Sequence, residues 1–261
     1  MIEMPPREKL KKILRQPKKA ALTAFSEVYN TLLAGIARKP SYPAGQLPAL
    51  NFINEHARRK TDISNHLKTL FSESMSVNPR LIVELGVRTG ESTLVFERIA
   101  EISHAKLISV DTDDCEKISH SSHSKNRIFV RKDDIPFGQE FGAWCVKNNI
   151  TPEIDILFID TSHLYEHTKQ EIDTWFPYLA KTAKVFFHDT NLKTIYFRED
   201  GSMGIGWDNK RGVIRALEDY FNKKLDEKQS FVDFDKGWLI KHRPYSSGLT
   251  ILERNKDWKI S

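Results

Sequence analysis

At 261 residues, with 39% hydrophobic, 29% charged and 10% aromatic residues, the chain is long enough for one large α/β domain with an extension and too apolar for a disordered one. Its net charge of +5 sits at one end: residues 1–40 hold nine Lys or Arg against Glu3, Glu8 and Glu27, so the remainder is close to neutral. Such a basic arm can meet nucleic acid or an anionic membrane surface but is more often a solvated helix face. The absence of a signal-peptide core or an 18-residue apolar run predicts a cytoplasmic protein without a membrane span, and Cys115 and Cys145 lack the spacing of a metal site or disulfide framework.

In chain order, residues 7–16 predict a short helix that ends near Pro17, and Leu22, Phe25, Val28, Tyr29, Leu32, Leu33 and Ile36 predict an amphipathic helix over 19–38. That apolar stripe suits the core or an oligomer interface, so a homo-oligomer through the N-terminal helices is expected. PSYPAGQLPAL, residues 40–50, reads as an irregular connection. It divides a helical N-terminal extension, 1–50, from a main domain, 51–261. A helix over 62–74 precedes LIVELGVRTGES, residues 81–92, which reads as a buried parallel strand, a glycine turn and a helix. Strands at 106–110, 127–131, 154–159 and 183–187 follow, with helices near 91–102, 138–148 and 165–178. This alternation predicts an α/β domain with a mainly parallel sheet. GSMGIGWDNKRG then reads as a glycine-rich loop whose Met203, Ile205 and Trp207 need a cover, so it and the 40–50 segment are candidate lids over an acceptor. A helix through Val213, Leu217, Tyr220 and Phe221 leads to short strands at 231–234, 238–240 and 249–253, read as an antiparallel pair at the sheet edge.

Chemistry concentrates at the ends of the predicted strands. Asp111 ends the second strand about 20 residues beyond Gly90, where an acid can bind the ribose hydroxyls of a nucleotide or simply begin a turn. The spacing from Gly86 to Gly90 lacks the second early glycine that a pyrophosphate needs, which disfavours a NAD-dependent oxidoreductase. Glu84 immediately before the turn suits a cationic ligand, and S-adenosylmethionine carries an ammonium and a sulfonium but no phosphate. Asp160 and the pair His188-Asp189 close two strands expected to be neighbours, about 5 Å apart, so they can converge on a divalent ion or cap the helices that follow. His163 lies three residues beyond Asp160 and can act as a base or as a helix cap, and His167 is a weaker candidate one turn later.

VELGVRTGESTLVF, SVDTD, FIDTSHLYEHTKQEIDTWFPYLAKTAKVFFHDTN, GVIRALEDYF and GLTILER together resemble the class I S-adenosylmethionine-dependent methyltransferases. More narrowly they resemble the branch that includes cephalosporin-hydroxylase-like and macrolide or sugar O-methyltransferases. The resemblance covers roughly residues 60–254. It implies a Rossmann-like seven-stranded sheet whose last strand is antiparallel. It implies that Glu84, Gly86, Thr89, Gly90 and Ser92 surround the methionine part of the cofactor, that Asp111 meets the ribose, and that Asp133, with Asp134 nearby, meets the adenine. It further implies a metal held by Asp160, His188 and Asp189, although His188 stands where some relatives have an acid. Magnesium and manganese are the leading choices, with iron, zinc or no metal left open.

The sequence therefore predicts an enzyme that methylates a hydroxyl of a small molecule such as a sugar or polyketide, with Asp160 and His163 at the catalytic centre. A nucleic-acid methyltransferase using the basic arm is a rival, but Asp160-Thr161-Ser162-His163 stands where base methylation uses an Asn/Asp-Pro-Pro-aromatic motif. A binding domain that keeps the cofactor pocket without transfer is the other.

Overall fold

A computed structural model describes residues 16–34, 48–118 and 125–254. The predicted helix at 7–16 and most of the 40–50 connection lie outside the described residues. Ten strands are present among those described: β1 (Leu81–Leu85), β2 (Lys106–Asp111), β3 (Arg127–Arg131), β4 (Ile154–Ile159), β5 (Leu179–His188), β6 (Ile195–Phe197), β7 (Met203–Ile205), β8 (Phe231–Asp235), β9 (Trp238–Arg243) and β10 (Leu249–Arg254). The helices are α1 (Pro17–Ala34), α2 (Pro48–Ala57), α3 (Leu67–Met75), α4 (Glu91–Ser103), α5 (Asp134–Lys147), α6 (Tyr165–Trp175) and α7 (Gly212–Phe221). None is long and apolar enough to cross a membrane.

The main sheet runs β3-β2-β1-β4-β5-β10-β9-β8, with β1 to β5 parallel and the last three strands antiparallel to their neighbours. It thus has eight strands rather than seven. The predicted edge pair is a three-strand addition in which β10 inserts beside β5 and leaves β8 at the rim. Alternation along β1 assigns its side chains to two layers. Leu81, Val83 and Leu85 face a core with Phe137, Phe141, Trp175, Val185 and Leu217, while Ile82 faces Leu70, Val95, Phe96, Ile99 and Phe158. Cys115 and Cys145 are separate buried thiols.

Three local differences from the predicted elements have physical causes. Helix α5 begins four residues early because the Asp133 carboxylate accepts a 3.0 Å hydrogen bond from Ile135 N, an N-cap just before the proline of the first turn. The 203–205 part of the glycine-rich loop is β7, paired antiparallel with β6. This hairpin is docked on α1: the Asn30 amide donates to Met203 O at 2.8 Å and accepts from Met203 N at 2.7 Å. Met203 is therefore buried, and Trp207 is the exposed apolar residue of the loop. Finally, the predicted stripe of α1 is not core, since Phe25, Val28 and Leu32 are 58%, 61% and 67% exposed.

Candidate active site

The carboxyl ends of β1, β2 and β4 open on a cleft of about 350 Å³ lined by Gly86, Arg88, Val110, Asp111, Thr112, Asp113, Lys132, Asp133, Asp134, Asp160, Thr161, Ser162, His163 and His167. Ligands of open α/β sheets bind at this end of the strands. Gly86 lets the turn after β1 pass close to the end of the neighbouring parallel strand β4: its φ is +89°, and a Cβ there would lie 2.1 Å from the carbonyl oxygen of Asp160. Asp111 ties this turn to β2, because its Oδ2 accepts from Val87 N at 2.8 Å and Arg88 N at 3.0 Å, and its Oδ1 from Asp113 N at 2.9 Å. Partial burial works against its charge, yet these amides hold the carboxyl below its ordinary value.

Glu84 does something else. It has the parity of Ile82, so it points toward α4 instead of the cleft and is fully buried. Its oxygens accept from Ser92 Oγ at 2.7 Å, Thr93 Oγ1 at 3.0 Å and Ser109 Oγ at 2.7 Å. Burial pushes its pKa up to about 7 even against the three hydroxyls and Arg127. Glu84 and Ser92, expected around the methionine part of a cofactor, thus bond to each other beneath the turn. Thr89 and Gly90 belong to the same turn but do not line the cleft, whereas Gly86, Asp111 and Asp133 do.

At the ends of β4 and β5, Ile159 pairs with Phe187, which sets Asp160 level with His188. One ligand atom each from Asp160, His163 and Asp189 falls within a 4.8 Å cluster. His163 Nε2 is 3.2 Å from Asp189 Oδ2, and His163 Nδ1 is 3.8 Å from Asp160 Oδ1. His188, expected as the third ligand, lies below this set, 2% exposed, with Nδ1 3.0 Å from Asp160 Oδ1 and 3.2 Å from Asp189 Oδ1. Its Nε2 faces inward without a hydrogen-bond partner, and its ring packs edge-on against His66. Burial alone would strip its proton, but Asp160 and Asp189 overcome that and push its pKa up to about 10. His66 goes the other way, down to about 3, through burial and the positive charge of His188. The cluster can take a cation: Asp189 Oδ1 is buried and accepts no hydrogen bond. A set of two carboxylates and one imidazole suits manganese, zinc or iron better than magnesium.

Strain gathers at the same place. Arg88, His163 and Asp189 are non-glycine residues with φ of 47°, 58° and 57°, at the ends of β1, β4 and β5. The loop at His163 is pressed against α7, where a Cβ on Gly212 would lie 2.3 Å from His163 O. Trp207 stands over it, with ring centroids 6.1 Å apart.

Several contacts at the site lay beyond what the sequence indicates. Arg88 Nη1 pairs with Asp62 Oδ2 at 2.9 Å. Burial opposes the Arg88 charge, but Asp62, Asp160 and Asp189 outweigh it and raise its pKa. Asp134 Oδ1 accepts from or donates to His167 Nε2 according to its protonation, at 3.0 Å, and Glu171 Oε1 lies 3.7 Å from the same nitrogen. His167 and Glu171 are four residues apart on one helix, a signal present in the sequence, but their meeting with Asp134 needs the packing of α5 on α6.

Residues 83–190, which span every site residue named from the sequence, match the profile of the family described as methyltransferase domain. That segment, under half of the chain, is similar to a methyltransferase domain. The chain's sheet order and the cleft at the carboxyl ends of the strands agree with the Rossmann-like arrangement that the sequence resemblance implied. The fold of the chain resembles that of a methyltransferase from Geobacter sulfurreducens, with a TM-score of 0.51, 16% identity, and 87% of this chain and 96% of that one covered. It also resembles the cofactor-bound Rv0187 from MTB, with a TM-score of 0.51, 12% identity, and 83% and 94% covered. An uncharacterized protein of Sinorhizobium fredii is 28% identical over 128 residues, 45% of this chain but only 14% of that protein's length.

Proposed function

We propose that the protein transfers the methyl group of S-adenosylmethionine to a hydroxyl of a small molecule, such as a sugar or polyketide, with a divalent cation held by Asp160, His163 and Asp189. The observation that carries this reading is the convergence of those three side chains beside the Gly86 turn, where Asp189 Oδ1 is buried and, although 3.2 Å from His188 Nδ1, accepts no hydrogen bond. Bound there, the cofactor would supply an electrophilic methyl group, and a cation would supply charge that lowers a hydroxyl's pKa by several units. The chain's own residues position and move the proton. With a cation bound, His163 would be one of its ligands and the hydroxyl proton would leave to solvent; without it, His163 Nε2, oriented by Asp189, is the group on the cleft side able to accept the proton, and His188 holds a positive charge beneath Asp160 that keeps that carboxylate ionised. Trp207 covers His163 and limits water at the reacting oxygen. Asp111, fixed by the turn amides, faces the cleft where a ribose would lie.

The lining favours a small, cationic or neutral ligand over nucleic acid. Away from the Asp160 cluster, whose charge a cation and His188 would offset, Asp111, Asp113, Asp133 and Asp134 outnumber Arg88 and Lys132, a field that repels phosphate.

A second reading, with His163 as a metal-free base, draws on His188: its charge already balances one of the two acids. Methyl transfer to a panel of sugar and polyketide alcohols, measured after EDTA treatment and with manganese, zinc or magnesium restored singly, separates the two. Loss in EDTA and recovery with manganese or zinc is expected. Full activity in EDTA would leave His163 alone, and no transfer to any hydroxyl would sink the O-methylation reading.

A further inference from the structure

A second group of ligand-type side chains lies on the far side of Thr161. Asp134 opens α5, while His167 and Glu171 lie one turn apart on α6, and one ligand atom from each falls within a 4.8 Å cluster. His167 Nε2 is 3.0 Å from Asp134 Oδ1 and 3.7 Å from Glu171 Oε1. Donors that each sit about 2.1 Å from one ion lie about 3.0 Å apart at a right angle and about 3.6 Å apart at 120°, so both spacings are those of atoms sharing a metal. Burial adds an independent observation. Glu171 is fully buried and Asp134 is 7% exposed, yet Glu171 Oε2 and Asp134 Oδ2 accept no hydrogen bond from any neighbouring donor group, and the two carboxyls lie against each other. Unpaired buried carboxylate oxygens are costly unless a cation or a proton meets them.

We infer that Asp134, His167 and Glu171 form a second divalent-cation site, separate from the Asp160, His163 and Asp189 cluster and suited by its one nitrogen and two carboxylates to zinc or manganese. Its geometry is its own, and it stands whether or not the proposed reaction does. The site is wired to the first: Thr161 Oγ1 donates to Glu171 Oε1 at 2.5 Å, and Thr161 follows Asp160 in the chain. A cation here would neutralise acids along the cleft wall that Asp134 and His167 line, and would fix the 160–163 segment from behind.

The rival occupant is a single proton shared by the two carboxyls, and metal counting distinguishes it. Untagged protein stripped with a chelator is titrated with zinc by calorimetry. We expect two equivalents for the wild type and one for His167→Asn and for Glu171→Gln, with that remaining equivalent lost when Asp160→Asn is added. A variant that fails to fold does not decide the matter, because crystals of the wild type soaked in zinc are read at the zinc absorption edge. An anomalous peak within about 2.5 Å of His167 Nε2 and both carboxylates supports the site. Unchanged stoichiometry in His167→Asn, or anomalous density confined to the Asp160 cluster, overturns it.

Discussion

Glu84 and Asp189 are both buried carboxylates near the ends of neighbouring parts of one sheet, and they differ in what surrounds them. Glu84 has three hydroxyl donors from its own strand's neighbours and is closed to the cleft. Asp189 shares its surroundings with another acid and two histidines, and one of its oxygens accepts no hydrogen bond. The β1–β2 half of the site is thus satisfied from within, while the β4–β5 half holds polar capacity in reserve. A buried acid fully met by its own chain is architecture, and one left partly unmet is where a ligand or reaction belongs.

The sharpest way to break this contrast is to remove reserve without removing structure. Asp160→Asn and Asp189→Asn keep the shape of each side chain, and we expect methyl transfer to fall by about 10²- to 10⁴-fold while the circular dichroism melt moves little. Equal loss of folding in these variants would erase the distinction. Glu84→Ala should do the reverse, leaving three hydroxyls without their acceptor at a cost of about 3 kcal/mol, seen as a melting temperature lower by roughly 6–12 °C. Next in size is Asp111→Ala. It frees the amides of Val87 and Arg88 and removes the cleft acid, and calorimetry should show S-adenosylmethionine affinity weakened more than tenfold.

Glu84 also makes a pH prediction. Its folded pKa of about 7 lies above its ordinary 4.5, so the folded state holds the proton more tightly. The stability this gives is fully present below pH 4.5 and is lost as pH rises through 7, by roughly 3 kcal/mol. Denaturant titrations across that window should show a steeper decline for the wild type than for Glu84→Gln, which cannot ionise. Parallel curves would mean that the carboxyl titrates normally. The smallest effect is expected for Trp207→Ala: a severalfold higher KM for the acceptor and almost unchanged stability, since this half-exposed ring covers His163 without anchoring the core.

Much of this contrast was legible in the chain, but not evenly. The apolar run at 81–85 and the glycine turn placed the cleft, and strand-terminal Asp160 and His188-Asp189 placed the acid cluster, because those signals are local. Parity along β1 already carried the fate of Glu84: two residues beyond Ile82, it must share that residue's layer and meet Ser92 and Thr93. The exchange of His188 for His163 in the cluster was not legible. It depends on left-handed backbone at His163 and Asp189, which no spacing encodes. Nor was the Arg88–Asp62 pair, whose partners come from segments that meet only when α3 and the β1 turn pack. Asp133 shows a case in which two readings hold at once: it caps α5 and still lines the cleft.

The docking of α1 on β7 has a consequence for self-association. A two-stranded ribbon such as β6–β7 presents a free rim, and the side-chain amide of Asn30 occupies it by mimicking one rung of a third strand, donating to Met203 O and accepting from Met203 N. Asn30, together with the Arg198 guanidinium that also donates to Met203 O at 2.9 Å, therefore acts as a plug on an otherwise adhesive margin. Lifting the helix away would uncover that margin beside the exposed ring of Phe197, and molecules so opened would be prone to join ribbon to ribbon.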